Sequence, residues 1–207
     1  MLYIKTNNYN CLKVFSAGFT LLASVTLLLC NSAFAGSQSI MITVAKGFGL
    51  SLYASDIGDA KQMAMGANGT LFVGSNKSGT IHALVDSNQD GRVDKRYVIA
   101  KGLESPDAIA FHNGDLFVAT ENQIVRFVDI EQRLRRPSRP KEIYSDLPYS
   151  EKKSSRAINF GPDGRLYVSI GAPCNVCEAP VPYSSIIAIN VDTGASEQIA
   201  AGVRDAS

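Results

Sequence analysis

Cys174 and Cys177 are the first side chains in this sequence whose type and spacing could do chemistry. A Cys-x-x-Cys pair can be a redox couple, half of a zinc site, a free pair or a disulfide. Covalent haem attachment is excluded, because Glu178 follows Cys177 where a His is required. The N-terminal residues predict export to an oxidising compartment, which favours a structural disulfide.

A short run of oxygen-bearing side chains could bind a cation. It consists of Asp86, Asn88, Asp90 and Asp94. In a calcium loop, oxygens at positions 1, 3, 5 and 9 converge while a glycine, here Gly91, allows the sharp turn. Tyr97 stands where the bidentate acidic ligand should be. A weak Ca²⁺ site and a polar turn without metal therefore both remain open.

Three internal repeats position these motifs. Each has a short apolar strand, an Asn-Gly or Asp-Gly turn with positive φ expected at both central residues, and a second strand beginning Leu-aromatic-Val. The aligned segments are 63–73, 108–118 and 157–168. A third strand follows at 80–85, 124–128 and 186–191, and a more polar fourth strand comes after it. The second-strand leucines recur after 45 and then 50 residues, which is typical of β-propeller blades.

The sequence therefore predicts an all-β fold, a β-propeller with about three to three and a half four-stranded blades present. The predicted blades lie at 48–103, 104–147 and 148–203, with the start of a fourth at 204–207. Closed propellers usually have four to eight blades. We therefore expect the chain to be the N-terminal part of a longer protein, with an open sheet face when it is alone.

One edge of the predicted blades collects the candidate chemistry. In an antiparallel meander, loops between the second and third strands emerge beside the links to the next blade. The third such loop is the longest, with 18 residues from Val168 to Ile186 against 8 and 6 in the earlier repeats. Because long loops on a rigid scaffold often hold binding sites, we expect the cysteine loop and Arg204 to form a pocket. The loop 86–94 falls at the opposite edge.

Charge and the N-terminus limit the partners and the location. With 20 basic and 19 acidic residues, no global charge attracts nucleic acid. Residues 1–35 resemble a secretory signal peptide, with Lys5 and Lys13, an apolar run over 14–30 and the cleavage pattern Ala33-Phe34-Ala35. An uncleaved membrane anchor is the alternative. We expect a periplasmic or secreted chain, 36–207, with no stable membrane span after cleavage.

A longer motif carries a family resemblance. The stretch Phe160-Gly-Pro-Asp-Gly-Arg-Leu-Tyr-Val-Ser-Ile-Gly-Ala-Pro-Cys-Asn-Val-Cys177, followed by Gly202-Val-Arg204, resembles the sorbosone/glucose dehydrogenase family. That family consists of exported six-bladed propellers that use pyrroloquinoline quinone (PQQ) and Ca²⁺. The resemblance implies oxidation of a small-molecule sugar or aldehyde by hydride transfer to PQQ, with the electron acceptor unspecified.

The same resemblance implies roles for individual residues. Arg204 and Lys153 fall at the catalytic positions, and Arg204, Asp205, Pro173 and Asn175 at cofactor-binding positions. Asp205 replaces the Asn that normally follows the Arg, and Lys153 replaces the His that takes the hydroxyl proton. A lysine of ordinary pKa, about 10.4, is protonated at pH 7 and takes up no proton. A propeller that binds a ligand or protein without catalysis is therefore the alternative, and the chain alone is expected to be inactive.

Overall fold

Each of the three repeats forms one four-stranded antiparallel sheet whose strands pair in chain order. The computed structural model describes residues 42–106, 108–149, 155–204 and 206. The first sheet contains β1 (Ala60–Met65), β2 (Leu71–Ser75), β3 (Thr80–Val85) and β4 (Lys95–Ala100). The second contains β5 (Ala108–His112), β6 (Asp115–Ala119), β7 (Ile124–Phe127) and β8 (Lys141–Tyr144), with a 3-10 turn at Ile130–Gln132. The third contains β9 (Arg156–Phe160), β10 (Leu166–Ile170), β11 (Ser185–Ile189) and β12 (Ser196–Ala201). The described chain is therefore all-β, and its three sheets are blades of a partial β-propeller, as predicted.

The first two strands of each sheet form the predicted hairpins, but the turns differ in detail. In the second sheet, Asn113 and Gly114 both have positive φ, 49° and 88°, as predicted. In the other two hairpins only Gly69, φ 81°, and Gly164, φ 76°, are left-handed, so that part of the prediction was wrong. There, the glycine N–H donates to the carbonyl three residues earlier. A longer turn ending in a left-handed glycine closes a hairpin as well as a two-residue turn does.

The innermost strands lie side by side, because β1 packs against β5 and β5 packs against β9. Two cores fill the spaces between neighbouring sheets. One contains Phe72, Ile81, Ile109, Leu116, Val118 and Phe127, and the other contains Ala108, Phe117, Ala119, Ile158, Val168 and Ile189. Alternate residues of β6 face opposite cores, so the whole strand is buried. Each fully buried apolar side chain stabilises the fold by about 1.5–3 kcal/mol. A sheet with only one neighbour could bury only one of its faces, so the burial of β6 requires a sheet on each side.

A β-bulge recurs in the fourth strand of every sheet. Pairing shifts by one residue between β3 and β4, between β7 and β8, and between β11 and β12. The extra residue is Ile99, Ile143 or Ile199 respectively. A bulge bends its strand and turns the side chain of the extra residue to a new direction. Ile99 and Ile143 belong to the two cores or pack against them, whereas Ile199 is 46% exposed on the third sheet.

A segment before β1 covers the other face of the first sheet. Ala54 and Ile57 are buried there against Val73 and Leu84. The segment is held by backbone pairing, since the Val93 N–H donates to the Tyr53 carbonyl at 3.0 Å. Residues 42–51, which precede this segment, contain one turn and no helix or strand.

The links between sheets are hydrogen-bonded to the loops between second and third strands. The Leu103 N–H donates to Gly79 O at 3.0 Å, and the Glu121 N–H donates to Glu104 O at 3.0 Å. The first link therefore touches the loops of both the first and the second sheet. The second link repeats this arrangement, because the Leu147 N–H donates to Asn122 O and the Gly171 N–H to Ser155 O. These bonds bring links and loops together at one edge, as the meander predicts.

Some predictions fall outside the part of the chain that the structure describes. The signal peptide at 1–35 is one of them, and it stays a prediction. None of the helical segments among the described residues is long and apolar enough to cross a lipid bilayer.

Gly79 offers a test of the bond between link and loop. Gly79→Ala is expected to lower the free energy of unfolding by about 2–4 kcal/mol, because φ is left-handed and an added Cβ would meet the Leu103 backbone. Gly69→Ala is the matched control. It has a similar φ but open space around it, and it should cost only about 1–2 kcal/mol. Urea denaturation followed by circular dichroism measures both, and equal losses would contradict the role given to the Gly79 contact.

Candidate functional site

The loop at 171–184 is fastened at both of its ends to the chain that leaves the third sheet. The Ala172 N–H donates to Arg204 O at 3.0 Å, and the Val203 N–H donates to Ser184 O at 2.8 Å. At the start of the loop, the Gly171 N–H donates to Ser155 O at 2.9 Å. The loop therefore joins the entry into the innermost strand β9 to the exit from the third sheet.

Two further restraints hold this loop. Cys174 and Cys177 form a disulfide, which is the favoured interpretation of the Cys-x-x-Cys pair. Tyr183 packs against the core between the second and third sheets, and its hydroxyl donates to Tyr149 O at 2.5 Å. The loop is thus ordered by a covalent bond on one side and by an anchored aromatic ring on the other.

Arg204 meets this loop through its guanidinium group. Its Nη1 donates to the backbone oxygen of Asn175 at 2.6 Å, and its Nη2 donates to Asn175 Oδ1 at 3.3 Å. Among the residues that the structure describes, no carboxylate lies within ion-pair distance of Arg204. Arg204 is also exposed. The site therefore presents a positive charge that is held in place by neutral acceptors and is open to an anionic ligand.

The other predicted site residues have different outcomes. Pro173 lies half-buried in the same loop, next to the residue that bonds to Arg204 O. Lys153 and Asp205 lie outside the described residues, and their roles stay predictions. The structure thus brings Arg204 and Asn175 together, with Pro173 beside them, at the edge where the meander topology predicts the pocket.

Arg156 is a candidate that sequence reasoning missed. It is 6% exposed, begins the innermost strand β9, and pairs with Ile170. Its Nη2 donates to Pro148 O, in the link that precedes residues 150–154. The repeat alignment carries a signal for it, because Gln62, Asp107 and Arg156 are the polar residues directly before each aligned segment. Gln62 Oε1 also makes a contact between sheets, accepting from the Ile109 N–H at 3.1 Å.

A cleft of about 340 Å³ lies at the opposite edge, between the second and third sheets. There Arg126 is paired with the buried carboxylate of Asp115. Arg165 donates to Asp163 at 2.6 Å and to Glu197 at 3.0 Å. The hydrogen bond from Arg165 is the main reason that the pKa of Asp163 lies below its ordinary value. Both arginines are neutralised by carboxylates, so this cleft lacks the uncompensated charge of Arg204.

The predicted calcium loop closes on its own backbone. Asp86 accepts from the N–H groups of Asp90 and Gly91, and Asp94 accepts from the Ser87 N–H at 2.7 Å. Burial is the main reason that the pKa of the nearby Tyr53 hydroxyl lies above its ordinary value. The negative charges of Asp86 and Asp94 raise this pKa further. Among the described residues, no three acidic, His or Cys side chains form a group that could hold a metal ion. Calcium binding through Asp86, Asn88, Asp90 and Asp94 stays a prediction.

Comparison with known proteins identifies a family for the chain. A family model described as a domain of unknown function, DUF7133, matches residues 36–202. The chain belongs to the DUF7133 family. An uncharacterized protein of Borreliella burgdorferi is 25% identical over 193 residues, which cover 87% of this chain and 49% of the relative. This DUF7133 chain thus spans about half the length of that curated relative.

Solved structures show the same fold at low sequence identity. A calcium structure of a family AA12 carbohydrate-active enzyme from Trichoderma reesei has a TM-score of 0.63 and 17% identity, covering 74% of this chain and 40% of that one. The pyranose dehydrogenase PQQ domain of Coprinopsis cinerea, in its holo form, has a TM-score of 0.61 and 13% identity, covering 72% and 38%. The PQQ-bound aldose sugar dehydrogenase of Streptomyces coelicolor has a TM-score of 0.53 and 18% identity, covering 70% and 48%.

Thermal denaturation tests the calcium prediction. If the loop binds Ca²⁺ with a dissociation constant of about 0.1 mM, then 1 mM Ca²⁺ should raise the melting temperature by about 3–6 °C over EDTA. Asp90→Asn should remove this difference, because it removes one of the charged ligands. Asp192→Asn changes an exposed carboxylate of another turn and should keep the difference. The same melting temperature in EDTA and in Ca²⁺ would rule out the site.

Proposed function

We propose that this chain forms part of an exported sugar dehydrogenase that oxidises a sugar hydroxyl or an aldehyde by hydride transfer to PQQ. The observation that carries the proposal is Arg204, whose guanidinium has no carboxylate partner among the described residues and is held by the disulfide loop at the edge where loops and links meet. Support comes from the family resemblance of 160–177 and 202–204, and from the fold shared with structures whose descriptions name PQQ or sugars.

The chemistry of the described residues fits an anionic quinone. PQQ carries carboxylates and quinone oxygens, all of which accept hydrogen bonds. Arg204 carries five N–H donors, and within the described part of the chain two of them are engaged, both with Asn175. Arg204 would hold an acceptor oxygen of PQQ, and bound PQQ would supply the two-electron acceptor for the oxidation.

Three parts of this chain are proposed to bind and orient the reacting groups. Arg204 binds an anion and stabilises negative charge that develops beside its guanidinium. The disulfide loop, fastened to residues 203–204 at both ends, keeps that charge oriented. Lys153 is the residue proposed to hold the substrate hydroxyl, and as an ammonium it donates a hydrogen bond rather than accepting a proton.

The lysine at position 153 favours a second candidate function, because a lysine of ordinary pKa takes up no proton at pH 7. A propeller with a lysine at this position could retain a binding site for an anionic ligand or protein and lack turnover. Both candidates predict an anion at Arg204, and they differ only in catalysis.

Binding of PQQ tests the proposed cofactor and the role of Arg204 in holding it. The full-length protein is expected to bind PQQ, and Arg204→Ala should weaken binding by about 10- to 100-fold, because hydrogen bonds to a charged donor are lost. Arg135→Ala, which removes an exposed arginine in the link between β7 and β8, is the matched control and should bind normally. Isothermal titration calorimetry measures both variants. A wild-type protein that does not bind PQQ, or an Arg204→Ala variant that binds equally well, would overturn the proposal.

Substitution of Lys153 separates the two candidates. If the protein is a dehydrogenase limited by its lysine, Lys153→His should raise turnover by about 100-fold or more, because a neutral imidazole can take the hydroxyl proton. Dye reduction with PQQ, Ca²⁺ and a panel of aldoses measures this, and Lys152→His is the neighbouring control. A Lys153→His variant that binds PQQ but does not turn over would favour the non-catalytic candidate.

A further inference from the structure

Asn175 lies inside a small covalent ring formed by the disulfide and the backbone between its two cysteines. The ring is closed by the disulfide between Cys174 and Cys177, and it contains only Asn175 and Val176 between the two cysteines. The two hydrogen bonds that the Arg204 guanidinium makes to described residues both end on Asn175, one on the backbone oxygen and one on the side chain. The direction of the Asn175 carbonyl, and with it the place of the guanidinium, therefore depends on the ring.

The backbone of Arg204 is held independently of the ring. Ala172 and Ser184, at the two ends of the loop, bond to the backbone of residues 203–204. Opening the ring would leave these bonds in place and would free only the segment between them. The backbone of residues 203–204 and the guanidinium group of Arg204 are therefore held by different hydrogen bonds.

The ring is accessible from solvent. Val176 is 96% exposed, and Cys177 and Glu178 are exposed as well, whereas Cys174 is half-buried. Thiol–disulfide exchange requires a thiolate to reach one sulfur of the bond, and access is one of the factors that set its rate. Cys177 is the more exposed of the two cysteines and is therefore the one at which we expect the thiolate to react.

We propose that Asn175 is a positioning residue for Arg204 and that the Cys174–Cys177 disulfide makes this positioning dependent on redox state. In the disulfide form, the ring holds the Asn175 carbonyl against the guanidinium. In the dithiol form, the segment 174–177 gains backbone freedom and Arg204 loses its two fixed acceptors. This gives Asn175 a role different from direct contact with a cofactor.

The redox step balances with a dithiol as the reductant. A thiolate of the dithiol bonds to Cys177 Sγ, the Cys174–Cys177 bond breaks, and Cys174 leaves as a thiolate that takes up a proton. The second thiol of the reductant then displaces Cys177, which is protonated in turn. Two electrons pass to the protein, and the reductant becomes a disulfide.

The contact between Asn175 and the Arg204 guanidinium is called the clamp below. Arginine guanidinium NMR tests the clamp without any cofactor. In the full-length protein labelled with ¹⁵N-arginine, Arg204 is identified as the signal that Arg204→Lys removes. Its Nη–H signals should be resolved in the oxidised protein and lost on reduction with dithiothreitol. They should also be lost in a variant with Cys174→Ser and Cys177→Ser. Arg126 is the internal control, because it is bound to the buried Asp115 in the cleft at the opposite edge, and its signals should stay unchanged.

Each outcome decides between the clamp and its absence. Loss of the Arg204 signals alone supports the proposal. Unchanged Arg204 signals with both thiols confirmed by mass spectrometry would overturn it, and so would simultaneous loss of the Arg126 signals, which would report general unfolding. The consequence for ligand binding rests on the proposed function: reduction, or Asn175→Ala, should weaken PQQ binding by about 5-fold. Failure of PQQ to bind at all would remove the proposed function while the NMR result would still decide the clamp.

Discussion

The fold depends on one requirement, that the backbone groups of each link between sheets find partners where no strand can provide them. A link leaves its sheet at the outermost strand and must reach the innermost strand of the next. Leu103 and Glu104 meet this requirement by bonding to loops of two consecutive sheets, at Gly79 and Glu121. The second link does the same through Leu147 and Ser155. The candidate site is a special case of this arrangement, because the loop at 171–184 bonds to residues 203–204 through Ala172 and Ser184.

Local chemistry made much of the fold predictable from the sequence. The Asn-Gly and Asp-Gly turns, the Leu-aromatic-Val strands and the period of the repeat are short-range signals, and they led to three four-stranded sheets in the described chain. The bulges at Ile99, Ile143 and Ile199 were not predicted, because a bulge is a property of two paired strands and not of one strand's own pattern. The two hairpins that close with a single left-handed glycine were mispredicted because the same dipeptide serves more than one turn geometry.

The positions of loops in the candidate site could be predicted, because the meander topology determines at which edge each loop lies. The contacts of individual side chains could not be predicted, because they depend on packing in three dimensions. The meander topology predicts that the cysteine loop and Arg204 lie at one edge, and Arg204 is indeed bonded to Asn175. The burial of Arg156 depends on packing around the innermost strands, which no local pattern encodes. The pairing of Arg126 with Asp115 joins neighbouring strands, and it neutralises an arginine that composition alone would have counted as available.

The length of the loop at 171–184 does not disturb the sheet that carries it. β10 and β11 pair over five consecutive residues, from Leu166 with Ile189 to Ile170 with Ser185, as fully as β2 and β3 do around their much shorter loop. The sheet therefore tolerates loops of very different length at this edge, because strand pairing is complete before the chain enters the loop. Changes confined to such a loop would alter what the edge can contact and leave the hydrogen-bonded scaffold beneath it intact.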